Sequence, residues 1–126
     1  MQDFRNLKVW EKSHSLAVEL YKVTESFPGS EIYGLTAQIR RTCTSIPANT
    51  AEGCGKSSDA EFGRFLNIAM GSACELEYHL LLSRDLRFRN DSDYQILDKG
   101  TIEIKQMLAT LIKKLKADSR KPKAEG

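Results

Sequence analysis

Residues 91–116 read DSDYQILDKGTIEIKQMLATLIKKLK, and the spacing of their apolar side chains decides the fold. Tyr94, Leu97, Thr101, Ile104, Leu108, Leu111 and Leu115 recur at intervals of 3-4-3-4-3-4. That spacing sets all seven on one face of an α-helix that packs on a neighbour at a shallow angle. Ser92 can cap the start, with Asp91, Asp93 and Asp98 near the positive end of the helix dipole. Lys113, Lys114 and Lys116 lie near the negative end. The pattern predicts one helix over residues 92–116.

Working back towards the N-terminus, the same period recurs. A second long helix is predicted over 58–86, with Phe62, Leu66, Ala69, Ala73, Leu76 and Leu80 inward and Phe65, Ile68 and Leu81 widening the stripe. Ser58 and Glu61 have capping-box spacing. Gly71, in mid-helix, costs about 1 kcal/mol relative to alanine, so a packing reason is expected for it. The first helix is predicted over 7–26, with Trp10, Ala17, Leu20, Tyr21, Thr24 and Phe27 inward, and Pro28-Gly29 stopping it. Another should begin near Glu31 and present Leu35, Ile39, Thr42 or Cys43, and Ile46. Pro47 removes a backbone donor there, so a kink is expected at 45–47, with Asn49 placed to satisfy the freed carbonyl. Gly53-Cys54-Gly55 should close that helix with a left-handed glycine.

Four such helices with short connections, and no alternating run that reads as a strand, make the fold class all-α. The architecture expected is an antiparallel up-down four-helix bundle with a proline kink in helix 2. The bundle should occupy residues 1–116, and residues 117–126, which contain no large apolar side chain, read as a basic mobile tail.

Composition excludes several classes of function. At 126 residues, 40% of them hydrophobic and 29% charged, the chain can bury the core of one domain. No apolar run reaches the roughly 18–20 residues that cross a bilayer, and the charged N-terminus is no secretory signal, so a cytoplasmic protein is expected. Cys43, Cys54 and Cys74 form neither a disulfide framework nor a zinc pattern. The charge is uneven. From Lys105 onwards there are seven basic and two acidic residues, a net +5, so the +2 of the whole chain leaves −3 on residues 1–104. A basic end of this kind fits polyanion binding, and fits a solvated helix end and tail equally well.

Catalytic patterns are sparse. A di-iron bundle needs Glu-x-x-His on two helices. Glu11 and His14 have that spacing, but Glu75 and His79 are four apart, so His14, Glu75, Glu77 and His79 read as surface residues and no metal site is expected. Gly53 to Ser57 resembles the end of a phosphate-binding loop, yet Thr50 stands where its first glycine belongs and a helix precedes it in place of a strand. Neither histidine can be linked by spacing to a nucleophile, so the chain does not read as an enzyme, and no cofactor is expected.

The polar residues that stand out are Arg40 and Arg41, about 100° apart on one helix. One could pair with a carboxylate while the other faces solvent. Alternatively they begin, with Lys56, a basic surface for phosphates.

The motifs together carry a resemblance. Phe4-Arg5-x-Leu7-x-Val9-Trp10 is followed by Tyr33-Gly34-Leu35-Thr36-x-Gln38-Ile39-Arg40-Arg41. Ser45-Ile46-Pro47-Ala48-Asn49, Ala51-Glu52-Gly53 and Phe65-Leu66-x-Ile68-Ala69-x-Gly71-Ser72 come next in order. This series resembles the 23S rRNA intervening-sequence proteins over about residues 4–115, with Cys43 and Thr50 where alanine and isoleucine are expected. The resemblance implies four-helix bundles that assemble as ring-like homopentamers, with no agreed catalytic residues. It also implies similarity to the accessory variability protein of diversity-generating retroelements, a basic pentamer that binds nucleic acid and reverse transcriptase.

On this reading the chain is a non-enzymatic oligomer that binds RNA or DNA. The binding residues expected are Arg40, Arg41, Lys56, Lys113, Lys114, Lys116, Arg120, Lys121 and Lys123. Phe4, Tyr33, Phe62 and Tyr78 are available for a subunit interface. The alternative is a scaffold for a protein partner, with no nucleic-acid role.

Overall fold

The computed structural model describes residues 2–120. It contains four helices: α1 (Lys8–Thr24), α2 (Leu35–Cys54), α3 (Asp59–Asp85) and α4 (Asp91–Arg120). Short 3-10 turns at Phe4–Asn6 and Gly29–Glu31 precede α1 and α2, and there is no strand among the described residues. Each helix packs on two neighbours, α1 on α2, α2 on α3, α3 on α4 and α4 on α1. Along α2, Arg41 meets Glu75, Ser45 meets Ser72 and Gly53 meets Phe62, so partners on α3 fall as numbers on α2 rise. The same holds between α3 and α4, through Glu77 with Lys105 and Arg84 with Tyr94, and between α1 and α4, through Lys12 with Glu103 and Leu16 with Gly100. Neighbouring helices therefore run in opposite directions.

The core follows the apolar stripes. Leu20, Ile39, Ile46, Leu66, Leu76, Ile104 and Leu108 are fully buried, drawn from all four helices. Buried threonines fit among them because each hydroxyl donates to the carbonyl four residues earlier. Thr42 reaches Gln38 O, Thr50 reaches Ile46 O and Thr101 reaches Leu97 O, each at 2.8 Å. A buried hydroxyl without a partner would cost on the order of 1–3 kcal/mol.

Several local expectations give way to tertiary packing. On α1, Ala17, Leu20 and Thr24 are buried as the spacing required, and Phe27 after it is buried too, but Val9, Ser13 and Val23 complete the inner face, which leaves Trp10 half-buried and Tyr21 43% exposed. Ile68, on α3, is also exposed, whereas Phe62, offered above for an interface, is buried. α2 starts at Leu35 and not near Glu31, because the Glu31 carboxylate turns back to accept from Leu35 N at 3.3 Å. It runs through Pro47 to Cys54, and the Asn49 amide donates to Ser45 O at 2.8 Å, not to the Cys43 carbonyl that lies opposite the proline. Gly55 closes α2 in the right-handed region, at φ −80.

At the start of α3, Ser58 Oγ accepts from Glu61 N at 3.2 Å, while the Glu61 side chain pairs with Arg64, so only half of the capping box forms. Asn90 takes the capping role given to Ser92, since its Oδ1 accepts from Asp93 N at 2.8 Å. The helical part of α4 extends to Arg120, four residues into the expected tail, and residues 121–126 lie outside the described residues.

Candidate nucleic-acid interface

Antiparallel neighbours bring the start of α1, the end of α2, the start of α3 and the end of α4 to one pole. A groove of about 620 Å³ there is lined by Leu7, Lys8, Lys12 and Val9 from α1 and its approach, with Glu103, Met107, Leu111 and Lys114 from α4. A second, of about 410 Å³, holds Asp59, Gly63 and Arg64 from α3 against Ile112, Leu115 and Lys116. Lys56 and Ser58 meet Gln2 and Leu115 in a third. Of the residues expected to bind, Lys56, Lys113, Lys114, Lys116 and Arg120 share this pole. Lys121 and Lys123 lie outside the described residues.

The charges at the pole differ in how they are held. Lys12 pairs with Glu103, and its hydrogen bond holds that carboxyl below the usual glutamate range. Arg5 pairs with Asp3 and Arg64 with Glu61. Lys56 lies over the Phe65 ring, 5.2 Å from its centre, so its ammonium is steered without being neutralised. Lys113, Lys114, Lys116 and Arg120 are exposed, and none takes part in the ion pairs found among the described residues. Asp59, beside Lys56 and Lys116, tempers the field.

Arg40 and Arg41 are elsewhere. Arg40 lies about 21 Å along the axis from the end of α2 at Cys54, counting fourteen residues at 1.5 Å each, and Lys56 lies beyond that end. Its Nε donates to Thr24 Oγ1 at 3.0 Å, one terminal nitrogen donates to Tyr21 O at 3.3 Å, and the guanidinium covers the Tyr21 ring at 4.7 Å. It thus closes the C-terminal end of α1, where carbonyls lack helical donors. Arg41 pairs with Glu75 on α3 and with Gln38 Oε1 at 2.8 Å.

Sequence reading placed His79 on the surface, but it is 9% exposed. Its Nε2 is 3.7 Å from Glu75 Oε2, and its Nδ1 is buried with no partner among the described residues. Burial pushes its pKa below the ordinary histidine value, against the pull of Glu75 and with the help of Arg41. Nothing in the spacing marks it, since the helical period allows either face at position 79.

The far pole holds arginines that the sequence reading passed over. Arg84, Arg87 and Arg89 line a hollow of about 920 Å³ with Asp85 and Asp91. Arg84 pairs with Asp85 at 3.1 Å, and Arg89 approaches Asp93 at 2.8 Å without the alignment of a hydrogen bond. Arg87 closes α3 in the left-handed region, at φ 59, and Phe88 N then reaches Ser83 O at 3.0 Å. Acids match bases here, so this pole presents no net positive surface.

No group of three or more potential ligands converges among the described residues. His14 stacks on Trp10 at 4.9 Å, and burial pushes the Cys43 thiol up to about 11. No described helix is long and apolar enough to cross a membrane.

The family profile of the 23S rRNA-intervening sequence proteins matches residues 5–110. The chain belongs to that family. The intervening-sequence fold is also seen in a crystal structure from Bacteroides thetaiotaomicron, a protein of unknown function from the S23 ribosomal protein family. The two are 31% identical, with a TM-score of 0.78 over 83% of this chain and 95% of that one. No curated protein matches the chain.

Proposed function

We propose that this intervening-sequence protein is a non-enzymatic, self-assembling bundle that binds the phosphate backbone of RNA or DNA through its basic pole. The observation that carries the reading is the gathering of half-buried Lys56 with exposed Lys113, Lys114, Lys116 and Arg120 at one end of the bundle, outside the ion pairs found among the described residues. Flexible lysines on a helix end suit contacts to phosphates and carry no base readout, so binding should be strong in salt dependence and weak in sequence preference. Self-assembly would repeat the pole and turn modest affinity per copy into avidity. Arg40 and Arg41, engaged with α1 and α3, are left out of this surface.

The test compares binding to an RNA and duplex-DNA panel by the intact chain, by Lys113→Glu/Lys114→Glu/Lys116→Glu and by Arg41→Glu. The triple variant should lose tenfold or more, on the order expected for several phosphate contacts, while Arg41→Glu stays near the parent. No measurable binding by the folded parent would overturn the proposal and leave the protein-partner scaffold as the better reading.

A further inference from the structure

The α1–α4 groove at the basic pole contains more than phosphate contacts would use. Its floor is apolar, formed by Leu7 before α1 and by Met107 and Leu111 of α4, all three half-buried. Its rim is polar. Lys8, Gln106, Thr110 and Lys114 are exposed, and no hydrogen bond or ion pair among the described residues engages their side chains. The Lys12–Glu103 pair crosses the groove and closes its inner end, since Lys8 lies one turn nearer the pole. Three lysines against one glutamate leave the lining at a net +2. From Glu103 to Lys114 the α4 wall runs eleven residues, about 16 Å at 1.5 Å each. The volume of about 620 Å³ falls within the roughly 300–1,000 Å³ of sites that hold small molecules.

The geometry points to this groove as the site of an unstacked base of single-stranded RNA or DNA, with the flanking phosphates on Lys8 and Lys114. This inference rests on the basic-pole reading above and names the form of nucleic acid that the pole prefers. A cationic rim beside an apolar floor matches a nucleotide, whose base has apolar faces and whose phosphate is an anion. A duplex offers phosphates to the rim but keeps its base faces stacked inside, so the floor stays uncovered. A single strand can fill both.

The side chains present suit that occupant. Met107 brings a polarizable sulfur, which favours contact with an aromatic ring. Gln106 and Thr110 can each donate to, or accept from, the edge of a base. Every base has a face of this kind, so the groove favours single strands without reading their sequence. The chain's own tail is a poor occupant, because KPKAEG at 121–126 carries two lysines and no large apolar side chain.

Fluorescence anisotropy of a labelled single strand, and of the duplex formed with its complement, measures the preference at near-physiological salt. The parent should bind the single strand about tenfold more tightly than the duplex, the order that one base in contact supplies. Met107→Ser, with helical content checked by circular dichroism, should lose most of that ratio while its duplex affinity stays near the parent's. A second measurement needs no variant. A strand carrying 4-thiouracil, irradiated on the parent, should attach within residues 7–12 or 103–114, as read by mass spectrometry of the peptides. No binding of either nucleic acid would overturn the basic-pole reading itself. Binding without the preference, a preference that survives in folded Met107→Ser, or attachment confined to other residues would overturn the groove alone. If Met107→Ser weakened binding of oleate but not of the strand, the groove would belong to an acyl carboxylate and the base assignment would fall.

Discussion

Two adjacent basic pairs, Arg40-Arg41 on α2 and Lys113-Lys114 on α4, look alike in the sequence and do different work in the fold. Arg40 crosses to Thr24 and Tyr21 and holds the end of α1, and Arg41 crosses to Glu75 on α3. Each is built into a contact between helices. Lys113 and Lys114 sit beyond the last fully buried residue of α4, Leu108, and extend from the bundle. The difference lies in what surrounds each pair. A planar guanidinium among carbonyls and carboxylates has fixed partners available, whereas an ammonium on a helix end has mainly water. Charge runs are therefore assigned to structure or to binding by their neighbours across the bundle, not by their own spacing.

Stability measurements can break this contrast. The largest effect should come from Arg40→Ala, which removes two hydrogen bonds from a charged group and the cover over Tyr21. A loss of about 1.5–3 kcal/mol in denaturant unfolding is expected. If Arg40→Ala unfolds like the parent, the contrast fails on the α2 side. Gly71→Ala should move stability the other way, by about 1 kcal/mol, because among the described residues no atom beyond its chain neighbours and the adjoining backbone of its own helix lies within 4 Å of the added Cβ. That result would set aside the packing reason expected for this glycine within a single bundle. Gly53→Ala serves as its opposite, since its Cβ would stand 2.8 Å from Phe62 Cδ1.

Arg41→Ala removes a half-exposed pair, so a loss of only about 0.2–1 kcal/mol is expected. Acidification probes the same corner through His79. Its pKa is lowered in the folded state, so below the ordinary histidine value of 6.5 the unfolded chain takes up a proton that the bundle resists. Stability should therefore fall as pH drops through 6.5 and towards the lower folded value, and His79→Gln should flatten that part of the profile. An unchanged slope in His79→Gln would show that other groups set the acid limb. Smallest of all, Lys113→Ala should stay within about 0.5 kcal/mol of the parent. A larger loss would mean that the α4 pair is structural after all.

The fold was legible because long helices leave periodic stripes. Leu97, Ile104 and Leu108 on α4, and Leu66, Ala73 and Leu76 on α3, are buried as the 3-4 spacing required. Periodicity failed where one residue of rotation separates inside from outside. Trp10 and Tyr21 give way to Val9 and Ser13 on α1, and His79 turns inward on α3. Helix ends were legible by residue type, but which cap wins depends on local geometry, as Asn90 displaces Ser92. The candidate surface was half legible. Spacing along one helix could cluster Lys113, Lys114 and Lys116, but only the antiparallel arrangement of α2, α3 and α4 brings Lys56 to them and carries Arg40 away.

The salt dependence of nucleic-acid binding tests the central assignment most directly. Association constants for a duplex DNA, taken across a salt series for the parent, for Lys113→Ala/Lys114→Ala/Lys116→Ala and for Arg41→Ala, give a slope of log K against log salt for each. Each phosphate contact contributes about −0.9 to that slope, so the triple variant should be shallower by up to about three contacts while Arg41→Ala keeps the parent slope. Equal slopes for the parent and the triple variant, or a slope that flattens only in Arg41→Ala, would contradict the placement of phosphate contacts at the basic pole.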